Sequence, residues 1–120
     1  MRAKAVRLHG ENDLRLDEID LPEIGEDEIL AKVVSDSICM SSYKATIQGA
    51  RHKRVPDNVA DNPVIIGHEL SGEIEEVGKR WKGSFAPGDR FSIQPALNYP
   101  GKLNGMGAPG YSYEYIGGDA

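Results

Sequence analysis

The chain is 120 residues long, one domain's worth, and its 39% apolar and 28% charged residues describe an ordinary globular protein rather than a disordered or fibrous one. A formal net charge of −5 speaks against nucleic acid as the main partner, and no apolar run reaches the length of a membrane span. A single cysteine, Cys39, excludes an internal disulfide, and "MRAKAVRLHG" has no apolar stretch behind its basic residues to make a secretory leader, so the expected compartment is the cytoplasm.

Short alternating runs dominate. "DLRLDEI" (13–19) sets Leu14 and Leu16 on one face and Arg15 and Asp17 on the other, the period-2 mark of a half-buried strand. "DEILAKVVSD" (27–36) is richer in β-branched and apolar residues and predicts a more buried strand. Directly after Cys39, "MSSYKATIQ" (40–48) is the one stretch that reads as a helix. "ARHKRV" (50–55) gathers basic residues in an otherwise acidic chain and, as a charge run, reads as a solvated loop. "LSGEIEEVG" (70–78) and "DRFSI" (89–93) predict further strands. Between these runs, 21–28, 77–89 and 98–110 are rich in Gly and Pro and carry turn chemistry. The class is mainly β, a barrel or sandwich. The chain stops at "YEYIGGDA", a strand-like run broken by a glycine pair, and a fragment is the expectation there.

"GMGAPG" (105–110) matches the dinucleotide pattern G-x-G-x-x-G letter for letter. That pattern binds a pyrophosphate only when it follows a strand and opens a helix. Here turn-like "NYPGKLN" precedes it, Pro109 sits inside it, and aromatic, strand-like "YSYEYIGG" follows. It reads as a loop.

A different constellation carries the chemistry. Catalytic zinc takes three protein ligands from Cys, His, Asp and Glu and keeps a fourth position open. Cys39 ends the apolar run "VVSDSIC", and His68 and Glu69 emerge from "VII". Each has a plain alternative: a small buried hydrophobe for Cys39, a turn with a hydrogen-bonded His68 and a solvated Glu69. Consecutive side chains on a regular strand point to opposite faces, so His68 and Glu69 cannot share an ion from an extended backbone. Gly67 permits the kink that would swing both toward one point, and Gly72 permits another backbone or a cofactor to pass close by.

"GHELSGEIEEVG" resembles the G-H-E-x-x-G-x-x-x-x-x-G signature of the zinc-dependent medium-chain alcohol and polyol dehydrogenases. Further features agree in order. "KAVRLHGENDLRLDEIDLPEIGEDEILAKV" is similar to that family's opening hairpin and third strand, "SICMSSYKATIQG" to the segment after its zinc cysteine, "NPVIIGHE" to the approach to its histidine, and "PGDRF" to its P-G-D-R-V turn. The likeness spans roughly residues 3–92.

The resemblance implies a GroES-like, partly open β-barrel with a few short helices, here incomplete, with 1–120 as the N-terminal part of the catalytic domain. It implies an oxidoreductase moving hydride between NAD or NADP and an alcohol, polyol or sugar, with the nicotinamide bound by a Rossmann domain that this chain does not contain. Cys39 and His68 would be zinc ligands, and Glu69 a third ligand or an exchangeable neighbour. Ser41 falls where the family keeps a hydroxyl that passes the alcohol proton outward; its plain alternative is an N-cap for residues 42–48. Ser42 stands where the family commonly has Asp, and Met40 where it has glycine or a basic residue. Residues 93–113 carry none of the four cysteines of a structural zinc lobe, so one catalytic zinc and no structural zinc are expected; Asn98 and Tyr99 would reach the site mouth. The family also places "ARHKRV" beside the substrate cleft, where it would attract the phosphate of a sugar phosphate. The intact enzyme would be a homo-oligomer acting on a small molecule, without nucleic-acid or membrane partners. A zinc-free quinone or enone reductase would lack the cysteine and the G-H-E triplet, and a non-enzymatic binding module on the same barrel would need none of these residues together.

Overall fold

The computed structural model describes residues 1–94, together with the main chain of residues 97–98 and 106–107. Strands β1 (Arg2–Gly10) and β2 (Asp13–Asp20) form a hairpin running from Arg2↔Asp20 to Gly10↔Asp13. Asn12 makes its turn at φ 55°, a left-handed conformation that asparagine tolerates better than most residues. Strand β3 (Ile29–Asp36) leads through a short link into α1 (Met40–Gln48), and a 3-10 turn over Gly49–Arg51 ends the helix. Strand β4 (Val64–Ile65) pairs with β1, giving one sheet in the order β2-β1-β4. Strands β5 (Leu70–Val77) and β6 (Arg90–Ser92) join β3 in a second sheet, β3-β5-β6. A small ladder pairs β7 (Leu97–Asn98) with β8 (Met106–Gly107). All these pairings are antiparallel, and the mainly β, GroES-like expectation holds.

The core lies where the first sheet meets α1. Leu8, Ala45, Val55, Val59 and Val64 form one buried cluster, with Ile66 packed against it. Leu8 has no exposed surface, and burying such a side chain is worth roughly 1.5–3 kcal/mol. The cluster ties the hairpin, the helix after Cys39 and the segment before His68 into one body, so it also fixes the two arms that carry the site.

Two expectations about burial are overturned. The alternation of β2 is real, but Leu14 and Leu16 are exposed, at 44% and 61%, while Asp17 is half-buried. Two facts account for this. Strand β2 is an edge strand whose Leu14, although opposite Leu8 in the ladder, lies outside the buried cluster, and Asp17 turns inward to meet partners on β1. Its Oδ2 lies 2.7 Å from His9 Nε2 and 3.6 Å from Arg7 Nη1. Arg7 in turn donates to the Pro63 carbonyl from Nε and Nη2, at 3.3 and 3.0 Å. Strand β3 is not the more buried strand expected: none of its residues is buried, and Val34 is 69% exposed. It too is an edge strand, and register shifts at Leu30/Ala31 and Val33/Ser35 interrupt its alternation. Of "GMGAPG", read as a loop, Met106–Gly107 lies in β8 and the remainder falls outside the described residues, as do "YSYEYIGG" and the side chains of Asn98 and Tyr99.

Candidate metal centre

Two arms converge on one point. The first is the link from β3 into α1. Cys39 is the helix N-cap, extended at φ −98° and ψ 139°, and its side chain makes no capping bond. Its carbonyl receives the first helical amides instead, from Ser42 at 3.0 Å and Tyr43 at 3.4 Å. The sulfur is thus left to face across the link. Ser41 lies inside the helix and is not its N-cap, which sets aside the plain alternative for this residue.

The second arm runs from β4 to β5. Ile66 N–H donates to the Val6 carbonyl at 3.0 Å, which fastens the arm to β1. The chain then breaks at Gly67, with φ 107°, a conformation that other residues strongly resist. His68 and Glu69 follow in irregular backbone before β5 begins at Leu70, so the opposite-face rule of a regular strand does not apply to them. Gly72 serves close packing of main chain: a Cβ there would fall on the Lys32 carbonyl oxygen of β3. Of the two roles open to Gly72, the passing backbone is the one observed.

Cys39, His68 and Glu69 each offer a donor atom, and the three donors lie within 4.8 Å of one another. Among the described residues this is the only group of three such side chains so placed. Cys39 and Glu69 are half-buried, while His68, 7% exposed, is the only buried polar side chain among the described residues. Hydroxyls hold both sides of its ring. Ser41 Oγ lies 3.0 Å from Nε2 and 3.1 Å from Cys39 Sγ; Ser42 Oγ lies 3.4 Å from Nδ1. The donor set fits zinc. A tetrahedral zinc with bonds of about 2.0–2.3 Å needs its donors about 3.3–3.8 Å apart, within reach of side-chain rotation here. Thiolate, imidazole and carboxylate together are ligands that zinc accepts.

Sequence reasoning missed two contributors. Ser42, noted only as lacking a carboxylate, supplies a hydroxyl to His68. Asp36 Oδ1 accepts the Glu69 amide at 3.1 Å, across 33 residues of chain, a contact with no local signal.

The basic run sits beside α1. Arg51 pairs with Glu11 at 3.0 Å, and His52 Nδ1 lies 3.3 Å from the Arg54 amide. Burial, then the nearby charges of Arg54, Lys53 and Lys44, hold His52 below the ordinary imidazole value. Lys44 of α1 and Lys53 and Arg54 after it thus stand close enough to His52 for their charges to act on its ring, while Arg51 is engaged by a carboxylate.

Residues 25–118 match the alcohol dehydrogenase GroES-like domain family. The chain is 53% identical over 116 residues to L-sorbose 1-phosphate reductase of Klebsiella pneumoniae, covering 97% of this chain and 28% of that protein. It is 50% identical over 111 residues to mannitol-1-phosphate 5-dehydrogenase of Aliivibrio fischeri, covering 92% of this chain and 25% of that protein. Galactitol-1-phosphate dehydrogenase from Escherichia coli superposes with a TM-score of 0.72 at 26% identity, covering 98% of this chain and 34% of that one. The chain thus spans about a quarter to a third of the length of these proteins. Among the described residues, no helix is long and apolar enough to cross a membrane.

Proposed function

The chain belongs to the alcohol dehydrogenase GroES-like family, and on that premise we propose that it supplies the metal-binding, substrate-facing part of a medium-chain oxidoreductase acting on a polyol or sugar phosphate. The observation that carries this reading is the meeting of Cys39, His68 and Glu69 within 4.8 Å, with a serine hydroxyl bridging two of them. On this reading residues 1–120 are the GroES-like part, and the nicotinamide, NAD or NADP, is bound by a Rossmann domain outside them. A zinc-free reductase or a bare binding module has no use for this donor set.

The residues that would hold one zinc ion are Cys39, His68 and Glu69. Bound there, it supplies Lewis acidity that polarises a carbonyl or hydroxyl oxygen of the substrate. The chain's own groups do the rest. Ser41, whose hydroxyl both donates and accepts, stands beside two of the donors and can pass the alcohol proton outward. Ser42 holds the far side of the His68 ring. In the full-length enzyme, elemental analysis should find about one zinc per chain, lost in Cys39→Ala and His68→Ala. Full zinc content in Cys39→Ala would refute the centre.

The sugar phosphates in the relatives' names agree with the cationic residues around His52, which would receive the phosphate. Because Arg51 is engaged by Glu11, Lys53 and Arg54 are the better residues to neutralise. Doing so should raise KM for a phosphorylated substrate by about tenfold, and by much less for its unphosphorylated parent. Equal effects on both would sink the assignment.

A further inference from the structure

The link between Asp36 and Cys39 poses a physical problem. Ser37 and Ile38 are both exposed, Ile38 at 99%, so no packing of their side chains fixes where the Cys39 arm leaves the sheet. Yet Cys39 must face residues 29 and 30 positions further on. The core seats α1 and β4 on either side, but the exposed link itself needs a restraint of its own.

Two hydrogen bonds supply it. The β3–β5 ladder ends at the pair Asp36↔Leu70. One step beyond it, Asp36 Oδ1 accepts the Glu69 N–H at 3.1 Å, and the Glu69 carbonyl accepts the Ser37 N–H at 3.1 Å. Both main-chain polar groups of Glu69 are satisfied by one dipeptide, and that dipeptide lies immediately before the Cys39 arm. We infer that Asp36 is a positioning residue of the metal centre: its carboxylate locks the Glu69 backbone to the root of the Cys39 arm and so sets the thiolate–carboxylate separation. The inference rests on the metal-centre reading above. Asp36 itself acts through Glu69 and Cys39. What matters in it is an acceptor oxygen at one place, not its charge.

That distinction makes the inference testable on the full-length enzyme, by zinc affinity from chelator competition. Cobalt(II) substitution adds a second readout, because its thiolate charge-transfer band reports the geometry at Cys39. Partners that orient metal ligands typically change affinity by about 10–100-fold when removed, so Asp36→Ala should weaken zinc by that factor and alter the cobalt band. Asp36→Asn keeps an oxygen at the same reach and should bind zinc close to the parent value with an unchanged band. If Asp36→Ala fails to fold, Asp36→Gln, whose oxygen sits one methylene too far out, carries the same comparison with Asp36→Asn. Parent-like affinity and spectrum in Asp36→Ala overturn the inference and leave the centre standing. An Asn variant as weak as Ala also overturns it, by assigning the effect to charge. A parent enzyme that takes up no zinc overturns the metal centre itself, and this inference with it.

Discussion

His9 and His68 each stand beside a carboxylate, and the two places differ in what completes them. At His9, the carboxylate of Asp17 also faces Arg7, and Arg7 is anchored on the Pro63 carbonyl. Opposite charges meet and the polar groups are satisfied within the sheet; this is a device for holding β2 and the Pro63 segment to β1. At His68 the neighbours are a carboxylate and a sulfur, with serine hydroxyls at the ring. There the chain gathers donors of electron pairs, and on the proposed reading a cation from outside the chain completes the set. The lesson is that a His–carboxylate pair is neutral evidence about function. The third residue decides.

The sharpest way to break this comparison is to truncate the two histidines in parallel. His68→Ala should lower kcat/KM of the full-length enzyme by about a thousandfold or more, since Lewis-acid stabilisation is worth several kcal/mol. His9→Ala should leave kcat/KM and zinc content nearly unchanged while costing about 1 kcal/mol of stability, read from denaturant unfolding. Similar activity losses in both would show that the two pairs are not different in kind. Ser41→Ala comes next: loss of a proton-passing hydroxyl should cost about 10²–10⁴ in kcat with zinc retained. Loss of zinc in that variant would make Ser41 a structural prop of Cys39 and His68. The smallest effect concerns His52. Its folded value is lowered, so near and below the ordinary 6.5 the unfolded chain takes up a proton that the folded chain resists. Stability contributed by neutral His52 is therefore present above that pH and lost as pH falls through the folded value. His52→Gln should flatten the fall in stability between the ordinary 6.5 and the lowered folded value, measured as melting temperature against pH, and an unaltered slope would remove His52 from the account.

What the sequence disclosed follows the range of the interactions concerned. Residues 40–48 were legible as a helix from the local run after Cys39, and Gly67 was legible as a kink because only glycine readily adopts its φ of 107°. The likeness of "GHELSG" and "SICMSS" to known motifs pointed to Cys39, His68 and Glu69 as one set, and their donor atoms do lie together in the fold. Alternation in β2 announced a strand but not its inward face, since that depends on which strand lies at the sheet edge and on an ion pair to β1. The apolar letters of β3 misled for the same reason: composition says what a strand could bury, and only the sheet order says what it does. Asp36 was invisible because its partner is 33 residues away and the contact is to main chain, which leaves no mark in residue type.

The register shift in β3 bears on how this chain can change length. Val33 opposes Gly72 and Ser35 opposes Ser71, so Val34 is a supernumerary residue with no opposite number. Losing one residue there would straighten the ladder while leaving both flanking pairs intact. Losing one between Asp36 and Cys39 would shorten the reach of the sulfur by about 3.3 Å, more than a metal–ligand bond. The loss of one residue is therefore tolerable on one side of Ser35 and ruinous on the other, although the two sites lie only a few residues apart.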